Sequence, residues 1–538
     1  MEPDGYPAPP MRRHLLITLA CVGLIAALIG ACGSSGGDEP GTEKKDAAKP
    51  EVVPAKEAAD KPNVIFIYTD DQNVYDYKKK YMPQTFKLLR DQGTNFSDYV
   101  VATPLCCPSR ATYITGNYPH NSGVFSNPSG YRNLDMKRNT LPIWMRLAGY
   151  RTAWVGKYLQ GYDQYADDEF GEAAPGLDIW NPTFEPRYYD YDIGLNGERV
   201  RKGERSRDYY TTVINKLATD VVEKQAKAKR PLFMTVNNLG PHHGYGKGGR
   251  CTDIVPPAPR DVGLFKNAKV PRTPDFNEAD ISDKPSVAVP YPPLKKSRIA
   301  KLDLTAGCRQ ASLASVDRGI GDIYRAVKKA GELDNTVFMF TSDNGIEQGQ
   351  HRIGGKNIPY EDSLLQPLTI LAGKRALGGE QVADVPQLTS SIDLAPTILD
   401  FADGQPCAKP GDCRQLDGSS LVPLMLGKKP QPPFGPKRDI LVEGGKGGTD
   451  CLYSGIRTPD LNFTIHAKLT AGGECIRNAG EELYDLTGKL TGNPDPYELD
   501  NLLSEVTPGH DDPAVLAEVK RLRARLAELQ ECSGASCR

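Results

Sequence analysis

The chain has 538 residues, with 66 basic against 68 acidic side chains, a formal net charge of −2, 39% hydrophobic and 8% aromatic residues. That length exceeds what one hydrophobic core usually organises and predicts a large domain with a smaller second one. The near-zero charge excludes a nucleic-acid binder that works through a basic field. The 53 Gly and 44 Pro follow no collagen-like period, so collagenous and wholly disordered chains are excluded, while twelve cysteines point to export.

In chain order, Met11-Arg12-Arg13-His14 precedes an uncharged apolar run from Leu15 to Gly30 and then Ala31-Cys32-Gly33. A basic start, an apolar stretch short for a membrane span and small residues at its end predict a secretory signal over residues 1–32. Ile29-Gly30-Ala31-Cys32 resembles a bacterial lipobox. It implies passage across the cytoplasmic membrane and lipid anchoring at the bacterial cell surface through Cys32; the alternative is a signal anchor that merely contains this cysteine. Residues 33–60 hold no apolar periodicity and are rich in Gly, Pro, Ala and charge. Such a stretch buries too little to offset its ordering entropy, and predicts a disordered tether spanning roughly 30 Å.

From residue 61 to about 435, short apolar runs alternate with helical patterns. Strands are predicted at Val64–Tyr68, Thr152–Val155, Leu232–Val236, Val337–Thr341 and Leu368–Ala372. Helices are predicted at Met82–Gln92, Leu141–Leu147, Tyr209–Lys229, Gln310–Lys329 and Ile392–Phe401. The fold class is therefore α/β, with a large, mostly parallel sheet covered by helices on both faces. The Pro- and Gly-dense stretch Gly240–Ser297 reads as an insertion on the sheet's ligand face or a lid. Residues 436–538 form the smaller unit: short strands at Ile440–Val442, Leu452–Ile456, Leu461–Ile465 and Leu483–Leu486 predict an antiparallel sheet, closed by a helix from Pro513 to Leu529.

Two of the predicted strands run straight into acids, the first into Asp70-Asp71 and the fourth, through Ser342, into Asp343-Asn344. Ligands gather beyond the carboxyl ends of parallel strands, so three carboxylates and one amide oxygen there suit calcium, or magnesium, better than zinc. The alternative is that they only form turns.

Cys106-Cys107-Pro108-Ser109-Arg110, followed by Thr115-Gly116, resembles the signature of the type I sulfatases, members of the alkaline-phosphatase-like superfamily. The resemblance extends over about residues 62–538. It implies that Cys106 is oxidised to Cα-formylglycine by a formylglycine-generating enzyme. It also implies that Asp70, Asp71, Asp343 and Asn344, with the modified Cys106, hold calcium. Ala148 to Lys157 resembles the family's second signature and makes Lys157 an active-site lysine; Lys356, in Gly-Gly-Lys-Asn, resembles the second sulfate-binding lysine, and His242 the histidine that meets the bridging oxygen. The double cysteine, Tyr118-Pro119-His120-Asn121, Gly156-Lys157-Tyr158-Leu159 and the ending Leu529 to Gly534 most resemble the N-acetylglucosamine-6-sulfatase branch.

The reaction this implies is hydrolysis of a sulfate ester, from a sulfated carbohydrate such as N-acetylglucosamine 6-sulfate, by a formylglycine hydrate whose hydroxyl attacks sulfur. Arg110, one helical turn after Cys106, reaches back to the hydrate and the metal ligands. Lys157 and Lys356 supply charge to the sulfonyl oxygens, and protonated His242 is the candidate acid for the leaving alcohol. Many members carry His two residues after the first lysine; Leu159 stands there, which leaves His120 as a candidate base. Broad arylsulfatase activity, and phosphodiester or phosphonate monoester hydrolysis on the same fold, are the alternative activities; a carbohydrate-binding lipoprotein with a decayed site is the non-enzymatic one.

With Cys21 removed, Cys32 lipidated and Cys106 converted, the close pairs 407/413, 451/475 and 532/537, plus 251/308, account for eight cysteines as disulfides. Spacing leaves that connectivity open, and reduced thiols with it. Cys107 remains as a small packing residue.

Overall fold

The structure is a computed structural model that describes residues 58–538, apart from 129, 164 and 229. The expected signal, Cys21, the lipidated Cys32 and nearly all of the tether lie outside the described residues. No described helix is long and apolar enough to cross a membrane.

Eight strands form the main sheet: β1 (Asn63–Thr69), β2 (Thr94–Phe96), β3 (Arg151–Lys157), β4 (Ile179–Thr183), β5 (Leu232–Asn237), β6 (Thr336–Ser342), β7 (Leu368–Ala372) and β8 (Asp384–Val385). Their order is β8-β2-β7-β6-β1-β5-β3-β4. Every pairing is parallel except the two made by β7. The five predicted strands are all present. The strands missed are those the sequence disguises: β2 and β8 are too short to show periodicity, and β4 carries Pro182, tolerated because β4 is an edge with one neighbour.

The central strand shows why the sheet is covered twice. Val64, Phe66 and Tyr68 of β1 face one core, with Tyr113, Trp144, Trp154 and Ile398. Ile65 and Ile67 face the other, with Ile214, Leu313, Val316 and Ile320. The period-two alternation of side chains thus gives each helical layer its own apolar surface. Each fully buried Ile contributes about 1.5–3 kcal/mol, and truncating Ile67 to Ala should cost about 2–5 kcal/mol.

The first face holds α1 (Cys106–Thr115), α2 (Leu141–Leu147) and, near the edge of the core, α5 (Leu394–Ala402); the second holds α3 (Tyr210–Gln225) and α4 (Lys296–Lys329). Helix α4 begins fourteen residues before its predicted start at Gln310. Between Lys296 and Arg309 only Leu302, Ala306, Gly307, Cys308 and Arg309 are buried, so the apolar stripe that marks a helix is faint there. The predicted helix Met82–Gln92 is present over Pro83–Arg90, α-helical at Pro83–Thr85 and widened to a π-helix at Phe86–Arg90, where the Asp91 amide bonds to Phe86 O at 2.8 Å. Its start is held by the Asp317 carboxylate of α4, which accepts from the Gln84 and Thr85 amides at 3.1 and 2.7 Å.

The stretch left open between insertion and lid is strapped down at both ends. A Cys251–Cys308 disulfide ties it to α4, and at its far end Lys284 donates to Leu499 O at 3.0 Å while Asp283 accepts from the Asn501 amide at 2.7 Å. The other disulfides, Cys407–Cys413, Cys451–Cys475 and Cys532–Cys537, are the spacing-based pairs.

The second sheet is an antiparallel meander of β9 (Ile440–Lys446), β10 (Thr449–Arg457), β11 (Leu461–Leu469) and β12 (Cys475–Asp485). Helix α6 (Pro513–Gln530), capped by Asp512 at the Ala514 amide, packs Val515, Val519, Leu522 and Leu526 onto Leu441, Ile456, Phe463 and Leu483. Tyr118 and Ile392 share that core, so the meander is seated on the segments flanking α1 and α5.

Candidate active site

Register brings the acids together. β1 and β6 pair in parallel with Thr69 opposite Ser342, so the residues that follow, Asp70-Asp71 and Asp343-Asn344, leave the sheet side by side. The Asp71 amide donates to Asp343 Oδ1 at 3.1 Å. Helix α1 starts at Cys106, whose thiol lies 3.5 Å from Asp70 Oδ1, and ends at Gly116, whose φ of +68° closes the last turn on Thr112 O. β3 delivers Lys157, whose ammonium contacts Asp70 Oδ2. It can do so because residue 156 is glycine: at its φ of +100° a Cβ would stand 2.1 Å from Asn237 O on the adjoining strand. After β5, His242 places Nε2 3.6 Å from Asp71 Oδ2 and 3.9 Å from Asp70 Oδ1. Lys356, on the long connection between β6 and β7, contacts Asp71 Oδ1 and lies 2.8 Å from Cys106 Sγ.

Arg110 binds the centre from beneath. It donates to Asp343 Oδ2 at 2.9 and 3.1 Å, to Asp70 Oδ2 at 3.2 Å and to Asn237 Oδ1 at 3.1 Å, with its guanidinium over the Tyr68 ring. Asp70, Asp343 and Arg110 are wholly buried. Three carboxylates thus meet three cations, Arg110 and Lys157 buried and Lys356 half-buried at the opening.

The electrostatics follow from that matching. Burial works against ionised Asp70, but Lys157, His242 and Arg110 outweigh it and hold the carboxyl far below its usual range. Lys356 does the same for Asp71, again against burial. Asp343 goes the other way, raised to about 6 by burial and by Asp70 despite Arg110. Burial, then Asp70, pushes the Cys106 thiol up strongly, so as a cysteine this residue is a poor nucleophile. Burial also pushes His242 down to about 4 in spite of Asp71 and Asp70. Burial thus favours the neutral imidazole, against the pull of the two carboxylates beneath it.

The donor set fits a hard cation. Atoms of Asp70, Asp71, Cys106 and His242 lie within 4.8 Å of one another. Asn344 Nδ2 donates to Asp71 Oδ1 at 2.6 Å, whereas Asn344 Oδ1 is buried with no partner, an acceptor of the kind calcium or magnesium would use.

The sequence-predicted residues Asp70, Asp71, Cys106, Arg110, Lys157, His242, Asp343, Asn344 and Lys356 all come to this one place. His120 does not join them. Its Nδ1 bonds Glu443 at 2.9 Å and its Nε2 the Cys532 carbonyl at 2.9 Å, so both ring nitrogens are engaged in holding the C-terminal segment, and the expectation of a base at this position is corrected. The residue at position 159, Leu, is fully buried in the core.

Sequence reasoning missed Arg309 and Asn237. Arg309 donates to the Asp71 carbonyl, to Asn73 Oδ1 at 3.2 Å, to Asp76 Oδ2 at 2.8 Å and to Pro241 O at 3.2 Å, pinning both the Asp71 turn and the approach to His242. Its one signal is an arginine on the apolar side of a helix; Asn237 offers another, an amide closing an apolar strand.

The sulfatase family pattern matches residues 62–404. An "extracellular sulfatase SULF-1 homolog" of Drosophila melanogaster is 33% identical over 68% of the chain, a match that spans only 32% of that relative's length. An N-acetylglucosamine-6-sulfatase of Capra hircus is 29% identical over 90% of the chain and 86% of its own length. A solved structure described in complex with its substrate D-glucosamine-2-N,6-O-disulfate superposes with a TM-score of 0.66 at 22% identity, covering 88% of the chain and 98% of its own, and shares the fold.

Proposed function

The chain belongs to the sulfatase family, and on that premise we propose that it hydrolyses sulfate esters of a sugar such as N-acetylglucosamine 6-sulfate, with Cys106 converted to Cα-formylglycine and calcium held by Asp70, Asp71, Asp343 and Asn344. The observation that carries this reading is the convergence of Cys106 with three carboxylates and both lysines, beside the unpartnered oxygen of Asn344. The substrate class follows the goat relative, which matches over most of both chains. Export agrees with a relative described as extracellular and with the signal read at residues 1–32, and Cys32 is the proposed site of lipid attachment. Residues 61–435 then carry the chemistry and residues 436–538 form the second subdomain.

The converted side chain, once hydrated, would supply one hydroxyl to attack sulfur and a second to release it, and a calcium ion held by Asp70, Asp71, Asp343 and Asn344 would supply Lewis acidity that lowers the pKa of the first. The protein's part is charge and position. Matched carboxylates and cations leave the centre near neutral, so a divalent cation makes it net positive and suited to a sulfate monoester. Lys356 beside Cys106, and Lys157 close enough to act on its charge, bind the sulfonyl oxygens, whose charge grows as sulfur is attacked. Arg110 holds Asp70 and Asp343 in place. His242 stands over Asp70 and Asp71, and the arriving sulfate charge favours its protonated form, from which it passes a proton to the leaving alcohol.

Mass spectrometry of the peptide containing Cys106 tests the conversion, which removes about 18 Da. Rates on N-acetylglucosamine 6-sulfate, an aryl sulfate and an aryl phosphate diester test the substrate. The sugar sulfate is expected to be turned over fastest, and a preference for the diester would overturn the reading.

A further inference from the structure

A second cluster of acids lies behind the first. A cavity of about 380 Å³ is lined by the carboxylates of Asp98, Asp275, Glu361, Asp362 and Glu498, with Arg457 as the one cation among the described lining residues. That arginine is already engaged, by Asp98 at 3.0 Å and by Glu361 at 2.8 and 3.1 Å. Glu498 is satisfied too, accepting from the Glu361 amide at 2.8 Å and from Asn462 Nδ2 at 2.6 Å. Among the described residues, Asp275 and Asp362 meet no cation, and Asp362 is within hydrogen-bond reach of the Tyr75 hydroxyl and of the Asp275 carboxyl only.

Asp275 is 4% exposed, yet its Oδ1 has no hydrogen-bond partner. Asp362 Oδ2 is buried and unpartnered as well, and its carboxyl group lies against that of Asp275. Thr273, which also lines the cavity, buries a hydroxyl with no partner. Two carboxylate oxygens and a hydroxyl oxygen, each without a partner, therefore border one space in which no described cationic side chain is free to meet them. Buried carboxylates of this kind are strongly unfavourable unless something positive meets them.

We propose that this cavity is a second divalent-cation site, separate from the catalytic one, in which Asp275, Asp362 and Thr273 bind calcium with water completing the shell. All three ligands are hard oxygens, and the cavity has room for the waters that such a partial protein set requires. Asp362 lies on the connection that carries Lys356, and Asp275, in the Gly240–Ser297 stretch, is tied to the other end of that connection, where His351 N bonds Asp275 O at 2.8 Å. A cation joining them clamps both feet of the segment that presents Lys356. It also braces the catalytic turns, since Asn73 Nδ2 donates to Asp362 O at 3.3 Å and the Gly345 amide to Ser363 O at 3.0 Å.

Calcium counting by equilibrium dialysis of the chelator-stripped full-length protein, at about 1 mM calcium where extracellular sites of this kind fill, tests the assignment. Two ions per chain are expected for the wild type and one for the Asp275→Asn/Asp362→Asn variant. An Asp70→Asn variant should also keep one, in the cavity. A cavity variant that binds as much calcium as the wild type, or an Asp70→Asn variant that binds none, overturns the proposal; a proton shared between Asp275 and Asp362 would give that result. Loss of an ion in the cavity variant but none in Asp70→Asn would instead count against the catalytic calcium. Should the double variant not fold, Thr273→Val is expected to raise the calcium concentration needed for thermal stabilisation about tenfold, and an unchanged midpoint overturns the proposal equally.

Discussion

The catalytic centre and the acidic cavity behind it solve the same problem differently. Both bury several carboxylates within one stretch of fold, but the centre answers Asp70, Asp71 and Asp343 with Lys157, Lys356 and Arg110, while the cavity meets Asp275 and Asp362 with no described cationic side chain. In the first, charge is balanced by side chains and the site stands ready; in the second, the protein is complete only with an added cation. Burial by itself says little about a carboxylate, and its partners decide what it does.

Removing the proposed reacting group should have the largest effect: Cys106→Ala is expected to lower turnover at least about 10⁴-fold while the protein stays folded, measured with a chromogenic aryl sulfate. Next comes the matching. Arg110→Met strands two buried carboxylates and should destabilise by about 3–5 kcal/mol, whereas Asp275→Asn, removing an unmatched charge, should be neutral or stabilising in chelator. Urea unfolding of both would break the contrast if the two variants behaved alike. Lys157→Ala should reduce kcat by about 10²–10³, the usual loss for one donor to developing charge.

The smallest effect tests a matched pair away from both sites. His120 is raised to about 9, since its bonds to Glu443 and Cys532 O outweigh burial. Its folded pKa exceeds the unfolded value near 6.5, so the stabilisation is complete below about pH 6.5 and is lost as pH rises through about 9. A modest fall in Tm over that window is expected for the wild type, and a flatter profile for His120→Asn.

Much of this was legible because the chemistry sits on regular elements. Val64 to Thr69 and Val337 to Ser342 read as buried strands, and the parallel rule then places Asp70 and Asp343 together. The Asn196-Gly197 pair between Tyr191–Leu195 and Glu198–Lys202 was a readable hairpin signal that went unused. Arg309 and the cavity were different. Asp275 lies in a stretch without periodicity and Asp362 at a short turn, and no spacing in the chain announces that the two meet. His120 was misplaced for a related reason: its partners Glu443 and Cys532 are more than three hundred residues away.

One consequence of the fold concerns time. All ten residues of α1 are buried, Cys106 at 2% exposure, with β1 on one side and α5 on another. A second protein that must grip the segment from Cys106 to Gly116 to oxidise it can do so only while the chain is still open. Under the conversion proposed for Cys106, maturation and folding would compete for the same nascent polypeptide, and each molecule that folds first would be locked as a stable, inert cysteine form. The active fraction of a preparation would accordingly record two rates during biogenesis, and extra stability in the finished enzyme would do nothing to raise it.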